Sequence, residues 1–181
     1  MFYVLAFIVC ALIVTVDQLT KIFVATHFTL GVGTTPVIKG LFNCVYVTNE
    51  GGAWGFLKDY TWILIAVTIV AMVVCFTLLV KNGMRSKLMS FGLVFILAGG
   101  LSNLIDRIFR GRVIDFIQFD FWRSFPIFNI ADIFVCLGTF IIIVCFLIDI
   151  VSDHKAKKEL ELLNEEPKLN AEIQEQNNED N

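Results

Sequence analysis

Residues 62–80 read WILIAVTIVAMVVCFTLLV, and this uncharged stretch decides the fold. A helix that crosses a bilayer needs about 20 mostly apolar residues. The stretch is too long for a buried strand and lacks the period-2 alternation of one. Three further stretches have the same character, at residues 2–24, 88–105 and 130–150. The sequence therefore predicts an all-α membrane protein with four transmembrane helices.

The composition agrees with a membrane protein. Apolar residues make up 57% of the 181 residues and charged residues 17%, whereas soluble domains have about 45–50% and 25%. This composition excludes an ordinary soluble globule, a disordered chain and a nucleic-acid binder with a basic patch. We therefore expect contact with membrane lipid and no nucleic-acid partner.

The charges divide the chain into two parts. The last thirty residues hold nine acids and four lysines, whereas the first 151 hold eight acids and ten bases. We predict a four-helix transmembrane domain at residues 1–151 and an acidic, disordered cytoplasmic tail at residues 152–181. The tail shows no apolar face long enough to span or pack.

The basic residues indicate an orientation in the membrane. The connector at residues 81–87 carries three bases and no acid, and the last span is followed by Lys155, Lys157 and Lys158. Cytoplasmic segments next to spans are enriched in Lys and Arg. We therefore expect both termini in the cytoplasm and the loops at residues 25–59 and 108–129 on the outer side.

The two outer loops carry most of the remaining information. Val37, Ile38 and residues 41–48 favour strands, which predicts a small extracytoplasmic β-rich subdomain lying on the membrane. The second loop mixes aromatic and charged residues, a composition that suits a segment dipping into the lipid headgroups. Its aromatic residues are Phe116, Phe119, Phe121, Trp122 and Phe125.

Six ionisable residues lie near the outer ends of the predicted spans. They are Asp17, Lys21, Asp106, Arg107, Asp115 and Asp132. Such groups at membrane depth cost a few kcal/mol each on insertion scales, so they usually mark a function or a pair. Three helix ends and the loop between them would build a site on the outer face.

Plain structural roles are open to several of these residues. Asp17 and Lys21 are four apart and can form a local ion pair on one helical face. Asp106 and Arg107 can brace loops. Asn129 can cap the fourth helix, whose first turn favours an acid for electrostatic reasons.

The chemistry left for an outer site is that of carboxylates. No set of His, Cys and Glu has metal-ligand spacing, and we predict no metal and no cofactor. The hydroxyls of Ser102 and Ser124 have no evident base, and Cys44 has no evident histidine partner. Two close aspartates would share one proton, so that one activates water and the other protonates a carbonyl oxygen.

Four polar blocks follow one another along the chain. They are Asp17-Gln18-x-x-Lys21, Asn49-x-Gly51-Gly52-Ala53-Trp54-Gly55, Ser102-Asn103-Leu104-Ile105-Asp106-Arg107 running on through Gly111-x-Val113-x-Asp115-Phe116, and Phe128-Asn129-Ile130-Ala131-Asp132. Over about residues 12–140 the chain resembles the lipoprotein signal peptidases, also called bacterial signal peptidase II. Each block is weakly specific by itself, whereas four blocks in this order on four spans are highly specific.

The resemblance implies an intramembrane aspartic endopeptidase of the bacterial cytoplasmic (inner) membrane. Such an enzyme removes the signal peptide from prolipoproteins, just before a cysteine that carries diacylglycerol. The implied catalytic pair is Asp115 and Asp132. Residues that hold substrate or support the pair are implied at Asp17, Lys21, Asn49, Gly51, Asn103, Asp106, Arg107 and Asn129. Cyclic peptides of the globomycin type are the implied inhibitors.

Two residues depart from the family pattern. Gly52 stands where the family often has alanine, and Ser102 stands where glycine is usual. Both changes exchange one small residue for another. Trp54 and the glycines around it suit a flexible loop that covers the substrate, although an anchor at the membrane interface is an equal interpretation.

Other classes of protein compete with the peptidase. A small proton-coupled carrier, or a subunit of one, also places Asp and Lys within its spans. Carriers, however, hold such groups near the midplane and often show internal repeats, neither of which this sequence predicts. A non-catalytic scaffold would leave Asp115 and Asp132 unexplained.

Overall fold

Four long helices form the framework of the protein. The computed structural model describes residues 2–52, 56–82 and 86–179. The helices are α1 (Phe2–His27), α2 (Thr61–Asn82), α3 (Lys87–Arg110) and α4 (Ile130–Glu179). Each contains a segment long and apolar enough to cross a membrane, which in α4 is Ile130–Lys155. The predicted four spans are therefore confirmed.

The loops between the helices form a small antiparallel sheet, with two strands between α1 and α2 and one between α3 and α4. Its strands are β1 (Thr35–Ile38), β2 (Phe42–Asn49) and β3 (Val113–Phe119), in the order β1-β2-β3. The predicted β-rich subdomain is confirmed, and β1 and β2 lie in the predicted region. The third strand was not predicted, because its aromatic residues were interpreted as part of a segment dipping into the lipid headgroups. Its pairing partner β2 lies more than sixty residues earlier in the chain.

The turn from α3 into β3 is sharp. Gly111 ends α3 with a φ of 72° and donates its N–H to the carbonyl of Arg107. This left-handed conformation favours glycine, because a Cβ would be strained there. The strand begins only two residues later at Val113, so Asp115 lies close to the end of α3.

The segment before α4 folds back onto β3. The carbonyl oxygen of Phe128 accepts hydrogen bonds from the N–H groups of Phe116 and Ile117, at 3.0 and 2.8 Å. The N–H of Phe128 in turn donates to the carbonyl of Ile117 at 3.0 Å. This bridge brings the start of α4 beside the strand that carries Asp115.

Close packing brings α4 against α3. A Cβ on Gly99 would lie 2.3 Å from the carbonyl oxygen of Ala131, and one on Gly138 would lie 2.5 Å from that of Gly92. Real Cβ atoms do not approach so closely, so both contacts require glycine. The start of α4 is therefore positioned by direct backbone contact with α3.

The chain divides into two compact units, residues 1–142 and 143–181. The second contains the remainder of α4, which continues as helix to Glu179. The sequence predicted a disordered tail from residue 152. The helix follows local preference instead, since Glu, Leu, Lys and Ala are strong helix formers. Trp54, predicted to belong to a covering loop, lies outside the described residues.

Candidate active site

A buried ionic cluster joins α1 to α3. The ammonium of Lys21 lies 2.7 Å from Asp17 Oδ2 and 2.9 Å from Asp106 Oδ2, and all three side chains are fully buried. Arg110 also pairs with Asp106, and it donates to Gln18 Oε1 at 3.0 Å. Two carboxylates are thus balanced by two cations, the arrangement that makes buried charge tolerable.

Asn103 connects this cluster to Asp132. Its Oδ1 accepts a hydrogen bond from Lys21 Nζ at 2.9 Å, and its Nδ2 donates to Asp132 Oδ1 at 2.7 Å. An ammonium only donates and an ionised carboxylate only accepts. These two partners therefore determine which way the amide of Asn103 points.

Asn129 lies between the two aspartates. Its Nδ2 donates to Asp115 Oδ1 at 2.6 Å, and its backbone N–H donates to Asp132 Oδ2 at 3.1 Å. The N–H of Asp132 donates back to Asn129 Oδ1 at 2.9 Å, which completes a reciprocal cap at the start of α4. The predicted cap is therefore present, and the same residue holds both carboxyl groups together.

Asp115 is the buried carboxyl of β3. It is 1% exposed, and Asn49 Nδ2 donates to its Oδ2 at 2.9 Å. Burial raises the pKa of Asp115 to about 6, and the charge of Asp132 adds to the rise. Hydrogen bonds from Asn49 and Asn129 act in the opposite direction. A carboxyl with such a pKa exchanges protons near neutral pH.

A cavity of about 470 Å³ adjoins Asp115. Its lining includes Asn49 at the end of β2, Gly51 just after it, and Pro126 and Ile127 before α4. The N–H of Gly51 donates to Asn49 Oδ1 at 3.1 Å, which keeps the Nδ2 of that amide free to bind Asp115. The volume falls in the range of about 300–1,000 Å³ that is usual for ligand sites.

Arg107 supplies a positive charge next to the pair. Its guanidinium interacts electrostatically with Asp132, Asp115 and Asp106. Its Nε is buried and has no hydrogen-bond partner within the described part of the chain. A positive charge thus lies within electrostatic range of both carboxyl groups.

Comparison with known proteins places the chain in a protein family. Residues 9–148 match the family model described as Signal peptidase (SPase) II, which is most of the chain. The chain belongs to the signal peptidase II family.

Individual relatives agree with the family model. The lipoprotein signal peptidase of Bacillus pumilus (strain SAFR-032) is 37% identical over 149 residues, which cover 82% of this chain and 93% of that protein. The lipoprotein signal peptidase of Maridesulfovibrio salexigens is 42% identical over 150 residues, which cover 80% and 96%. As a signal peptidase II, the chain is a membrane protease of lipoprotein processing.

Solved structures show the same fold. Two structures described as bacterial membrane enzymes superpose on this chain with TM-scores of 0.75 and 0.72. Their sequence identities are 32% and 31%. The first match covers 80% of this chain and 88% of the other, and the second covers 78% and 92%.

The structure brings the predicted site residues of this signal peptidase II together. Asp115 and Asp132 are joined through Asn129, and the supporting residues predicted around them form one connected set. That set comprises Asp17, Lys21, Asn49, Gly51, Asn103, Asp106, Arg107 and Asn129. The roles of these residues in the reaction remain predictions.

Three polar residues of the network were not among the predicted site residues. They are Gln18, Ser102 and Arg110. Arg110 follows Asp106 by four residues, a spacing that indicates an ion pair on one helical face. Gln18 and Ser102 carry no charge, and their sequence spacing gives no sign that α1 and α3 meet there.

Proposed function

We propose that this signal peptidase II is an aspartic endopeptidase with Asp115 and Asp132 as its catalytic pair. It cuts the signal peptide from prolipoproteins immediately before the cysteine that carries diacylglycerol. The main support is the position of Asn129, which donates to Asp115 at 2.6 Å and to Asp132 at 3.1 Å. Two carboxyl groups held by one residue are suited to sharing a proton.

The mechanism needs one proton on the pair. The ionised carboxyl takes a proton from a water molecule, whose oxygen attacks the carbonyl carbon of the scissile peptide bond. The protonated carboxyl gives its proton to the carbonyl oxygen, which yields a tetrahedral diol. The diol then collapses to the new carboxyl, the C–N bond breaks, and the leaving amine takes up a proton through the pair. The pair ends with one proton, as it began.

The neighbouring residues keep the pair in this state. Asn103 and Asn129 donate to the carboxyl oxygens without adding charge. Arg107 offsets the single negative charge that a pair with one proton carries. The buried ionic cluster holds two carboxylates and two cations, so it ties α1 to α3 without adding net charge to the site. Its members are Asp17, Lys21, Asp106 and Arg110.

The proposed orientation places this site near the outer face of the cytoplasmic membrane. The late part of α1, the end of α3 and the start of α4 meet at the end where the sheet lies. The density of bases at residues 81–87 and 155–158 supports cytoplasmic termini. A reporter fused after Asn181 should therefore read as cytoplasmic, and an extracytoplasmic reading would put the site on the wrong face.

Diacylglyceryl-modified prolipoproteins are the proposed substrates of this site. A signal helix and two acyl chains remain in lipid while the scissile bond reaches the carboxyl pair, where water still enters. Globomycin-type cyclic peptides would compete for the cavity beside Asp115. Competition is measured as a rise in apparent KM with unchanged kcat.

The direct test removes one carboxyl group at a time. Asp115→Asn and Asp132→Asn should each reduce cleavage of a diacylglyceryl-modified prolipoprotein by at least about 1,000-fold. The double variant should be little worse, because the members of a catalytic unit are not additive. Asp120→Asn is the matched control, since Asp120 follows the same strand but bonds to Gly40, Asn43 and Arg123. Substantial cleavage by folded Asp115→Asn or Asp132→Asn would overturn the aspartic mechanism.

A further inference from the structure

Ser102 is a fully buried hydroxyl on α3 that contacts neither proposed catalytic aspartate. Its Oγ donates to Asp17 Oδ2 at 2.6 Å and accepts from Gln18 Nε2 at 3.0 Å. Both partners belong to α1, so the hydroxyl joins α3 to α1 at a single point. The bond to Asp17 is short and charge-assisted, which makes it one of the stronger kinds of hydrogen bond.

The other oxygen of Asp17 reaches α4. Its Oδ1 accepts the backbone N–H of Ala131 at 2.9 Å. Ala131 lies in the first turn of α4, where N–H groups lack helical partners and negative charge is favoured. The next residue is Asp132. A carboxylate of α1 therefore holds the turn that carries one member of the proposed catalytic pair.

Bulk water cannot replace the hydroxyl of Ser102 in this arrangement. Asp17, Ser102 and Ala131 are each 0% exposed, so bulk water does not reach the carboxylate. Gly99 lies one helical turn before Ser102, on the face of α3 that touches the carbonyl of Ala131. The contact of α3 with α4 and the bond of Ser102 to Asp17 thus act on the same turn.

We propose that Ser102 is a positioning residue of the reaction, acting through Asp17 on the first turn of α4 and hence on Asp132. With the hydroxyl present, Asp17 Oδ2 has two donors, Ser102 and Lys21, and the plane of the carboxylate is determined. With only Lys21 on that oxygen, the carboxylate rotates and its bond to Ala131 weakens. This inference rests on the proposed aspartic mechanism.

The first test is Ser102→Ala in the full-length protein, purified and reconstituted in bilayers. The substrate is a diacylglyceryl-modified prolipoprotein. We expect kcat to fall about tenfold with unchanged KM, and the thermal midpoint of unfolding to fall as well because a buried hydrogen bond to a carboxylate is lost. A tenfold fall in kcat corresponds to about 1.4 kcal/mol, which is close to the lower end of what one hydrogen bond to a charged group contributes.

Ser90→Ala is the matched control, because Ser90 is a buried serine of the same helix whose hydroxyl donates to the carbonyl of Ser86. It should leave kcat unchanged.

The second test measures the bond that Ser102 is proposed to support. Hydrogen exchange of the Ala131 amide should be faster in Ser102→Ala than in the unmodified protein and in Ser90→Ala. This readout needs no catalysis, so it stands even if the aspartic mechanism fails. Ser102→Gly, with an even smaller side chain, repeats both measurements if Ser102→Ala does not fold.

A double-variant cycle separates positioning from general support of the fold. In an Asp17→Asn background, Ser102→Ala should cause no further loss of kcat. An equal tenfold loss in that background would overturn the proposal, as would an unchanged kcat or an unchanged Ala131 exchange rate in Ser102→Ala. Failure of the proposed function appears elsewhere, as cleavage by Asp132→Asn.

Discussion

Two pairs of asparagine and aspartate lie near opposite ends of β2 and β3. Asn49 donates to Asp115 at 2.9 Å, and Asn43 donates to Asp120 at 3.1 Å. Each asparagine belongs to β2, and each aspartate lies in β3 or directly after it. The two pairs have the same side-chain chemistry, but their surroundings differ.

The surroundings shift the two carboxyl groups in opposite directions. Burial raises the pKa of Asp115 to about 6, with Asp132 adding to the rise. The hydrogen bond from Arg123 holds the pKa of Asp120 below its usual range, helped by Asn43 and the N–H of Gly40. The pair of Asn43 and Asp120, next to the cation Arg123, therefore has a structural role. The pair of Asn49 and Asp115, next to the half-buried Asp132, contains a carboxyl that exchanges protons.

The contrast depends on the close approach of α4 to α3, which puts Asp132 beside Asp115. In Gly99→Ala the new Cβ would stand 2.3 Å from the carbonyl of Ala131, so the start of α4 must shift. A misplacement of about 1 Å costs about 100-fold in rate, and overpacking costs about 1–3 kcal/mol of stability. We therefore expect kcat of Gly99→Ala to fall about 100-fold in cleavage assays.

The neighbouring glycine is the control for this prediction. A Cβ on Gly100 would meet the side chain of Met72 at 3.6 Å, which is an ordinary contact. Gly100→Ala should therefore keep its cleavage rate and its thermal midpoint. Equal losses in the two variants would mean that the contact of Gly99 with α4 has no special part in placing Asp132.

Asn49→Ala should move the pH dependence of cleavage rather than abolish it. The hydrogen bond from Asn49 favours the ionised form of Asp115, so its removal raises the pKa of that group. The pair then keeps its proton to higher pH. The alkaline limb of kcat/KM should shift upward by about 0.5–1 pH unit, as a property of the coupled pair.

Asn43→Ala serves as the comparison, because its partner is Asp120 at the other end of the sheet. It should leave the alkaline limb in place while loosening the turn between β1 and β2. A downward shift in Asn49→Ala, or the same shift in both variants, would contradict the assignment of the alkaline limb to Asp115.

The smallest effect is expected from the acidic tail. Truncation after His154 removes residues 155–181, which lie beyond both asparagine–aspartate pairs and beyond the 9–148 match to the family model. Cleavage by the truncated protein should stay within about twofold of the full chain at equal membrane levels, since the described hydrogen bonds of the pair all lie before residue 133. A larger loss would give the tail a role in the reaction.

Much of the fold follows from local sequence. Each spanning helix is encoded by its own run of about twenty apolar residues, the length that crosses the hydrocarbon core of a bilayer. Each run forms a helix because a span in lipid must satisfy its backbone hydrogen bonds internally. The strand preference of residues 41–48 is likewise local, and β2 forms there. The strand β3 was missed although five of its seven residues are Val, Ile or Phe, which favour strands. Its aromatic residues were interpreted instead as those of a segment dipping into the lipid headgroups.

The candidate site shows the same division. The sequence by itself determined which residues are available, since charged groups at span ends and the four blocks indicate Asp17, Lys21, Asp115 and Asp132. Only the tertiary structure decided that Asn129 bonds to both proposed catalytic aspartates and that Ser102 reaches Asp17. Such contacts join residues up to 85 positions apart. Hydrogen bonds depend on distances of about 3 Å and on direction, and helix packing through Gly99 and the bridge at Phe128 sets these. The sequence therefore specified the carboxyl groups, whereas the packing of α4 against α3 and β3 gave Asp115 its pKa.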